Sequence, residues 1–276
     1  MKVIDILNKS DKAAFSFELV PPLKGGDINK IYEAIEPLIA LAPPFINITF
    51  HRDEVVYREY PDGTIKKVTV TKRPGSVALA AAIMKRYNVD MVPHIVCGGA
   101  TRHKIENELI DLNFLDIENV MALRGDPIPG ERFFTPEEGG HQYSCELVEQ
   151  ITRMNHGQYL DDTLTEAVPT NFCIGVAGYP EKHYEAPNQA CDIENLKKKV
   201  DAGANYIVTQ MFFDNNTLYN FLYRIREKDI KVPVVAGIMP ITNAAQVARS
   251  IQMSGCYIPA RFKALVDRFG DNPAAM

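Results

Sequence analysis

Short, almost uninterrupted apolar segments alternate along the chain with longer segments of helical periodicity, and this alternation limits the possible folds more than any other feature. Two of the apolar segments are Tyr206–Gln210 and Val232–Ile238. Such segments are typical of parallel strands that helices cover on both faces. Consecutive parallel strands also need a crossover between them, which a helix usually provides. The pattern therefore predicts an α/β fold built on a parallel sheet.

Seven strand–helix units follow one another in this pattern, after a short helix predicted at residues 2–9. The predicted strands span residues 15–20, 45–50, 90–96, 118–123, 172–177, 205–210 and 232–238. The predicted helices span residues 28–41, 76–87, 101–112, 144–155, 192–202, 215–227 and 243–253. Units in this order predict a TIM-type (βα)8 barrel. The eighth βα unit is missing from this prediction, because the residues from Tyr257 onward resemble only the start of a further helix.

Length and composition are those of one soluble globular domain, predicted to span residues 1–276. A net charge of −5 argues against a dedicated nucleic-acid binder, which would carry a basic face. No apolar segment reaches the roughly 18 residues of a membrane span, and no signal-peptide core follows Met1, so a cytoplasmic location is expected. The 5 cysteines lack CxxC spacing, which predicts free thiols and no metal site.

The segment after the second predicted strand is a long excursion at residues 51–75. It is rich in charged and β-branched residues, and Asp62-Gly63 lies near its middle. Asp-Gly between β-branched segments is a signal for a tight hairpin turn. The excursion is therefore predicted to form a β-hairpin.

Glu18 lies at the carboxyl end of the first predicted strand, because Pro21 and Pro22 cannot continue a central ladder. A carboxyl among apolar neighbours is disfavoured as an anion, so the pKa of Glu18 should rise toward the range of a proton donor near neutral pH. This is the profile of a general acid. On this segment alone, a glutamate that simply reaches water or pairs with a lysine is the favoured interpretation.

Polar side chains also occur at or just after the other predicted strand ends. They are Thr49, His94, Arg124, Asp126, Tyr179, His183 and Gln210. In a barrel the carboxyl ends of the strands meet on one face, so these side chains predict an active site there. Plainer interpretations stay open: a core histidine for His94, a turn for Arg124–Asp126 and a solvated helix face for Lys197–Lys199. No GxGxxG follows a strand, so a nicotinamide or flavin would have to bind over the barrel mouth.

Taken in order, six segments resemble the methylenetetrahydrofolate reductase family. They are Phe15–Glu18 with Pro21-Pro22, Val92–His94, Ala122–Asp126, Gly178–His183, Asp201–Asn205 and Thr209–Asp214. The resemblance extends from about residue 10 to residue 260. It implies an FAD-dependent barrel enzyme of one-carbon metabolism, of bacterial type. Such an enzyme reduces 5,10-methylenetetrahydrofolate to 5-methyltetrahydrofolate by ping-pong kinetics, with NADH or NADPH as electron donor.

The resemblance also implies roles for individual residues. Glu18 matches the family's general acid, and Asp126 matches the carboxylate that tunes the flavin and contacts the folate. Gln210 matches a residue that contacts folate and nicotinamide, and Gln246 falls where the family has another such contact. The implied FAD-binding set is Thr49, Phe50, His94, Arg124, Gly125, Asp126, Tyr143, Ser144, Tyr179, His183, Asp192, Asn195, Lys198 and Lys199. Neither a nucleic acid nor a membrane is implied as a partner, and a homo-oligomer stays open.

The chain departs from the family pattern in three places. His51–Glu54 stands where the family often has a glycine-rich loop, which leaves the choice between NADH and NADPH open. Ser250 stands where some members have an aromatic residue, and the last family strand, with its substrate-contacting arginine, has no counterpart. The alternatives are another FAD barrel oxidoreductase of the proline dehydrogenase kind, a flavin-free barrel lyase, and a non-catalytic barrel that acts as a binding module.

Overall fold

The computed structural model of the chain describes residues 1–9, 13–128 and 131–276. The chain divides into two compact units. The first unit comprises Met1–Gly175 with Ala202–Asn205, and the second comprises Val176–Asp201 with Tyr206–Met276. A single domain over residues 1–276 stays a prediction.

The first unit contains most of the strands. Its helices are α1 (Val3–Lys9), α2 (Asn29–Ile39), α3 (Ser76–Tyr87), α4 (Arg102–Phe114) and α5 (Ser144–Met154). Its strands are β1 (Phe17–Leu19), β2 (Phe45–Ile48), β3 (Glu54–Glu59), β4 (Ile65–Val70), β5 (Asp90–Val96), β6 (Asn119–Leu123) and the first half of β7 (Cys173–Gly178). β1, β2, β5, β6 and β7 are neighbours in this order. The pairs β1–β2, β2–β5 and β5–β6 are parallel.

The second unit continues the same alternation. Its helices are α6 (Gln189–Asp201), α7 (Asn215–Glu227), α8 (Ala244–Ser254) and α9 (Ala260–Phe269). Its strands are the end of β7, β8 (Tyr206–Thr209) and β9 (Val234–Val235), and the pair β8–β9 is parallel. The predicted α/β fold with a parallel sheet is therefore confirmed, and each of the predicted strands is present. Barrel closure and a missing eighth unit stay predictions.

The apolar strands form the core of the first unit. All residues of β2 are buried, and Ile46, Ile48, Val92 and Ile95 are fully enclosed. Each such side chain contributes about 1.5–3 kcal/mol by leaving water. Buried residues follow one another along β2 and β5, so both faces of these strands are shielded from water, which explains uninterrupted apolar segments in place of an alternating pattern.

The predicted hairpin is confirmed. β3 and β4 pair in antiparallel register, with Val56 opposite Val68. Gly63 has φ +77°, and Tyr60 N donates to Thr64 O at 2.9 Å to close the turn. The base of the hairpin is held near the segment that follows β1, because Lys24 N donates to Lys72 O at 2.8 Å.

Two predicted boundaries are wrong, each for a local reason. The strand predicted at residues 232–238 is too long, since β9 comprises only Val234–Val235. Beyond it, Gly237 N donates to the Thr209 hydroxyl at 2.9 Å and no longer to a strand carbonyl. The helix predicted to begin at residue 192 begins earlier, at Gln189, where the Asn188 side chain accepts from Cys191 N at 2.9 Å.

None of the helices in the described ranges combines the length and the hydropathy needed to cross a bilayer. The cysteines at positions 97, 145, 173, 191 and 256 are free thiols.

Candidate active site

Glu18 lies on β1 and faces His94 of β5. The Glu18 Oε2 and His94 Nε2 atoms are 3.8 Å apart, although β2 lies between the two strands. The Glu18 side chain is 59% exposed, whereas the His94 side chain is 9% exposed. The carboxyl can therefore be reached from solvent, while the imidazole beside it is enclosed.

Burial has opposite effects on the pKa values of these two groups. It raises the pKa of the Glu18 carboxyl, as predicted, because protein atoms displace part of its hydration even though much of the side chain is exposed. Burial lowers the pKa of His94 to about 4, and the neighbouring His51 lowers it further. His94 is thus neutral at neutral pH and supplies no positive charge that would keep Glu18 ionised. The rise in the pKa of Glu18 is in the direction that a general acid requires.

Thr49 ties the end of β2 to β1. Thr49 N donates to Leu19 O at 2.9 Å, and the Thr49 hydroxyl donates to the same oxygen at 3.3 Å. The Thr49 Oγ1 and His51 Nε2 atoms are 3.2 Å apart, and the half-buried Phe50 lies between these residues in sequence. Thr49 is thereby joined to the residue that follows Glu18, so the structure brings these two predicted site residues together.

The segment Arg124–Asp126 forms a tight turn after β6. Gly125 has φ +88°, and a Cβ at this position would lie 2.7 Å from Val96 Cγ1, so a side chain does not fit. Gly98 N donates to Arg124 O at 3.0 Å, which joins this turn to the one after β5. Asp126 is exposed. The segment therefore packs closely against the end of β5 and offers one accessible carboxylate.

Tyr143 and Ser144 lie at the start of α5. The Glu146 carboxylate accepts from Gln142 N at 2.8 Å and from Tyr143 N at 3.3 Å, which satisfies backbone groups at the helix end. The Cys97 thiol lies 3.9 Å from Tyr143 O, so the start of α5 lies beside the turn after β5. Tyr143 is 53% exposed and available to a ligand.

A second group of predicted residues forms a cluster in the second unit. The rings of Tyr179 and His183 meet edge to face with centroids 4.8 Å apart. His183 N donates to Asp192 Oδ2 at 3.1 Å, and Lys199 Nζ donates to Ala177 O at 2.5 Å. Lys199 Nζ also lies 6.0 Å from the centre of the Tyr179 ring. Burial raises the pKa of Asp192, while the His183 N–H and nearby lysines counteract the rise.

The remaining predicted residues have contacts of their own. Lys198 and Asn195 are exposed on α6, with Lys198 Nζ 3.3 Å from Asn195 Oδ1. The Gln210 side chain accepts from Met211 N at 2.8 Å. Gln246 lies in the first turn of α8, where Asn243 is the N-cap, and its side chain accepts from Thr242 N at 2.6 Å. This contact is a structural role for Gln246 that the sequence did not indicate.

Two residues next to the predicted set were missed. His51 and Arg52 directly follow Thr49 and Phe50, and both contact groups at the ends of β2 and β5. Their position directly after a predicted strand is the signal that could have identified them as site residues. In the described ranges, no group of three or more His, Cys, Asp or Glu side chains is arranged to hold a metal ion.

The family model and the curated relatives that match this chain carry the same enzyme name. A family model described as methylenetetrahydrofolate reductase matches residues 2–276. The Arabidopsis thaliana protein named methylenetetrahydrofolate reductase (NADH) 1 is 32% identical over 100% of this chain and 44% of its own length. The Escherichia coli 5,10-methylenetetrahydrofolate reductase is 30% identical over 93% of this chain and 74% of its own length. The chain spans less than half the length of the yeast and plant relatives that it matches.

A solved structure of tryptophan synthase from M. tuberculosis shares the fold. Its TM-score is 0.50 at 14% identity, over 99% of this chain and 91% of that chain. At this identity the likeness concerns the fold alone and carries no information on activity.

Proposed function

The chain belongs to the methylenetetrahydrofolate reductase family, and we propose that it reduces 5,10-methylenetetrahydrofolate to 5-methyltetrahydrofolate. The observation that carries the proposal is the Glu18–His94 pair, in which a carboxyl of raised pKa faces a neutral imidazole. The names of relatives include both NADH and NADPH, so either nicotinamide is proposed as electron donor. The proposal does not depend on whether the chain forms a homo-oligomer.

Glu18 is proposed to start the reaction as general acid. The methylene group that joins N5 and N10 of the folate accepts hydride poorly until N10 is protonated and the ring opens to an N5 iminium cation. Glu18 delivers this proton, and the carboxylate that remains stabilises the nearby cation. The neutral His94 does not compete for the proton. Because Glu18 is exposed, it can regain a proton from solvent before the next turnover.

FAD is the proposed cofactor, and the side chains of both units suit it chemically. In the first unit, Tyr143, which is 53% exposed, offers an aromatic ring. In the second unit, Tyr179 and His183 offer aromatic surface and Lys199 offers a cation for a phosphate. When bound, FAD supplies the transfer of hydride between nicotinamide and folate.

The proposed FAD contacts are those of the family. In the first unit they are Thr49, Phe50, His94, Arg124, Gly125, Asp126, Tyr143 and Ser144. In the second unit they are Tyr179, His183, Asp192, Asn195, Lys198 and Lys199. Asp126, Gln210 and Gln246 are proposed to contact the substrate. The exposure of Asp126 supports its proposed contact, whereas the contact with Thr242 N occupies the side-chain oxygen of Gln246.

The test follows the two half-reactions separately under anaerobic conditions. The purified protein is loaded with FAD, reduced with NADH or NADPH, and then mixed with methylenetetrahydrofolate. We expect bleaching of the flavin absorbance in the first step and its return in the second, with formation of 5-methyltetrahydrofolate. A flavin that is reduced by the nicotinamide and stays reduced with the folate would refute the proposal and favour another flavin oxidoreductase. A protein that takes up no flavin would favour a binding module.

A further inference from the structure

Arg52 follows β2, and its side chain lies against the turn that joins β5 to α4. The Arg52 Cβ lies 3.6 Å from the position that a Cβ would take on Gly99. Its Nη1 atom lies 3.3 Å from the corresponding position on Gly98, and Phe134 Cε2 is equally close to that position. The guanidinium therefore occupies space that is free only because residue 98 has no side chain.

The guanidinium of Arg52 is incompletely paired. Its Nη2 atom is enclosed by protein and has no hydrogen-bond partner within residues 1–9, 13–128 and 131–276. An arginine keeps its charge at all physiological pH values, so it cannot relieve this situation by losing a proton. An enclosed N–H group without an acceptor is unfavourable. The arrangement thus leaves room for an acceptor that the described residues do not supply.

Two further cations lie around the same turn. Lys104 Nζ donates to Gly99 O at 3.3 Å. The Arg124 guanidinium lies 5.1 Å from the centre of the Phe134 ring, beside which Arg52 also lies. Gly99 has φ +78°, which glycine adopts without strain. Gly99 is exposed, whereas Gly98 is buried and its N–H donates to Arg124 O. Cations beside an exposed glycine are groups that bind phosphate oxyanions, and arginine does so with two parallel hydrogen bonds.

On the basis of the proposed function, we propose that Arg52 and the Gly98–Gly99 turn bind a phosphate oxyanion of a dinucleotide. The dinucleotide is FAD or the nicotinamide donor, because both carry a pyrophosphate. A pyrophosphate has two charges and several acceptor oxygens, so it can engage Arg52 and Lys104 together. A folate carboxylate has one charge and two oxygens and matches these groups less well.

The experiment compares Arg52→Ala with Arg58→Ala, which removes an exposed arginine from β3 and serves as the matched control. In the first arm, the apoprotein is titrated with FAD, and binding is followed by flavin fluorescence. In the second arm, FAD-loaded protein is mixed anaerobically with NADH or NADPH, and the dissociation constant is taken from the concentration dependence of flavin reduction.

We expect Arg52→Ala to weaken one dinucleotide by roughly tenfold or more, while Arg58→Ala leaves both unchanged. A change in the first arm identifies FAD as the source of the phosphate, and a change confined to the second arm identifies the nicotinamide. We also expect inorganic pyrophosphate to compete with that dinucleotide on the unmodified protein and to compete much less on Arg52→Ala.

Unchanged dissociation constants in both arms would overturn the inference. If Arg52→Ala does not fold, Arg52→Lys and the pyrophosphate competition on the unmodified protein provide the test, and absence of competition overturns the inference. Neither arm contains folate. A protein that binds both dinucleotides and fails only with methylenetetrahydrofolate would refute the proposed function and leave Arg52 to be judged by its own result.

Discussion

A carboxylate lies beside a histidine in each of the two compact units, and the two pairs behave differently. Glu18 faces the imidazole of His94 and is largely exposed. Asp192 is buried and accepts the backbone N–H of His183. Burial raises the pKa of both carboxyls, yet for Asp192 the His183 N–H, Lys199 and Lys182 counteract the rise. For Glu18 the shift comes from burial.

Both carboxyls lose hydration on burial, so their different chemistry depends on whether neighbouring N–H or ammonium groups replace that hydration. A carboxyl whose lost hydration is not replaced holds its proton more tightly and, where solvent reaches it, can donate and regain that proton. A carboxyl surrounded by N–H and ammonium groups is stabilised as a fixed acceptor. We therefore infer acid chemistry at Glu18 and ligand binding around Asp192.

Replacing Glu18 tests the acid side of the comparison and should have the largest effect. We expect Glu18→Gln to slow the reoxidation of reduced flavin by methylenetetrahydrofolate by roughly 10²–10⁴-fold, because glutamine cannot donate the proton. Reduction of the flavin by NADH should stay unchanged, as measured by stopped-flow absorbance. Glu36→Gln, an exposed position on α2, is the control and should alter neither step. Equal losses in both half-reactions of Glu18→Gln would show that Glu18 is structural.

His94 should make the stability of the protein depend on pH. Its folded pKa of about 4 lies below its unfolded value of about 6.5, so between these values the unfolded chain binds a proton that the folded chain does not. Stability due to His94 is therefore complete above the unfolded pKa and falls by up to roughly 3 kcal/mol as the pH decreases through this window.

Urea unfolding of the unmodified protein and of His94→Gln at pH 7 and pH 4.5 measures this contribution. The loss of stability between the two pH values should be smaller in His94→Gln. His103→Gln, an exposed position on α4, should keep the full pH dependence. A pH dependence that is identical in all three proteins would mean that His94 is not held in the neutral form by burial.

Replacing Lys199 tests whether the groups around Asp192 stabilise the second unit and bind a ligand. We expect Lys199→Met to lower the free energy of unfolding by about 1–3 kcal/mol, because Ala177 O loses a hydrogen bond and Asp192 loses a nearby cation. FAD affinity should decrease in parallel in a fluorescence titration. Lys198→Met, which removes an exposed lysine bonded only to Asn195 among the described residues, should change stability by less than about 0.5 kcal/mol. Equal destabilisation by the two variants would contradict a special role for Lys199.

Replacing Gln246 should have the smallest effect. It tests whether Gln246 only holds Thr242 N or also contacts the substrate. Gln246→Ala removes the acceptor for Thr242 N, so we expect a loss of about 0.5–1 kcal/mol in thermal or urea unfolding. If Gln246 also contacts substrate, the KM for folate rises as well. Thr242→Ala removes only the hydroxyl that donates to Gln246 Oε1 at 3.2 Å and keeps the Thr242 N contact, so it should cost less and leave the KM unchanged. A loss of stability with no change in KM would remove Gln246 from the proposed substrate contacts.

Much of the fold could be predicted because the signals are local. The apolar strands and the Asp62-Gly63 turn depend on residues that are neighbours in sequence, and both predictions hold in the structure. The end of β9 could not be predicted in this way, because it depends on the hydroxyl of Thr209, which lies on another strand.

The candidate site was predicted as a set of residues, and less of its geometry could be anticipated. The strand-end position of Glu18 and the direction of its pKa shift followed from sequence. The proximity of His94 to Glu18 did not follow from sequence, because it depends on how β1 and β5 flank β2. Arg52 was missed for the same reason, because the position of its guanidinium depends on Gly98 and Phe134, which are distant in sequence.

The alternation of strands and helices, the hairpin, and the polar residues at the strand ends can all be derived from the sequence without the structure. These properties follow from periodicity and turn chemistry, which act over a few residues. Only the tertiary structure decided that Glu18 keeps an uncompensated carboxyl beside a neutral His94, while Asp192 has an N–H group and lysines around it. The physical reason is that pKa values and hydrogen bonds depend on groups brought together by strand register and packing, across distances in sequence over which no local pattern acts.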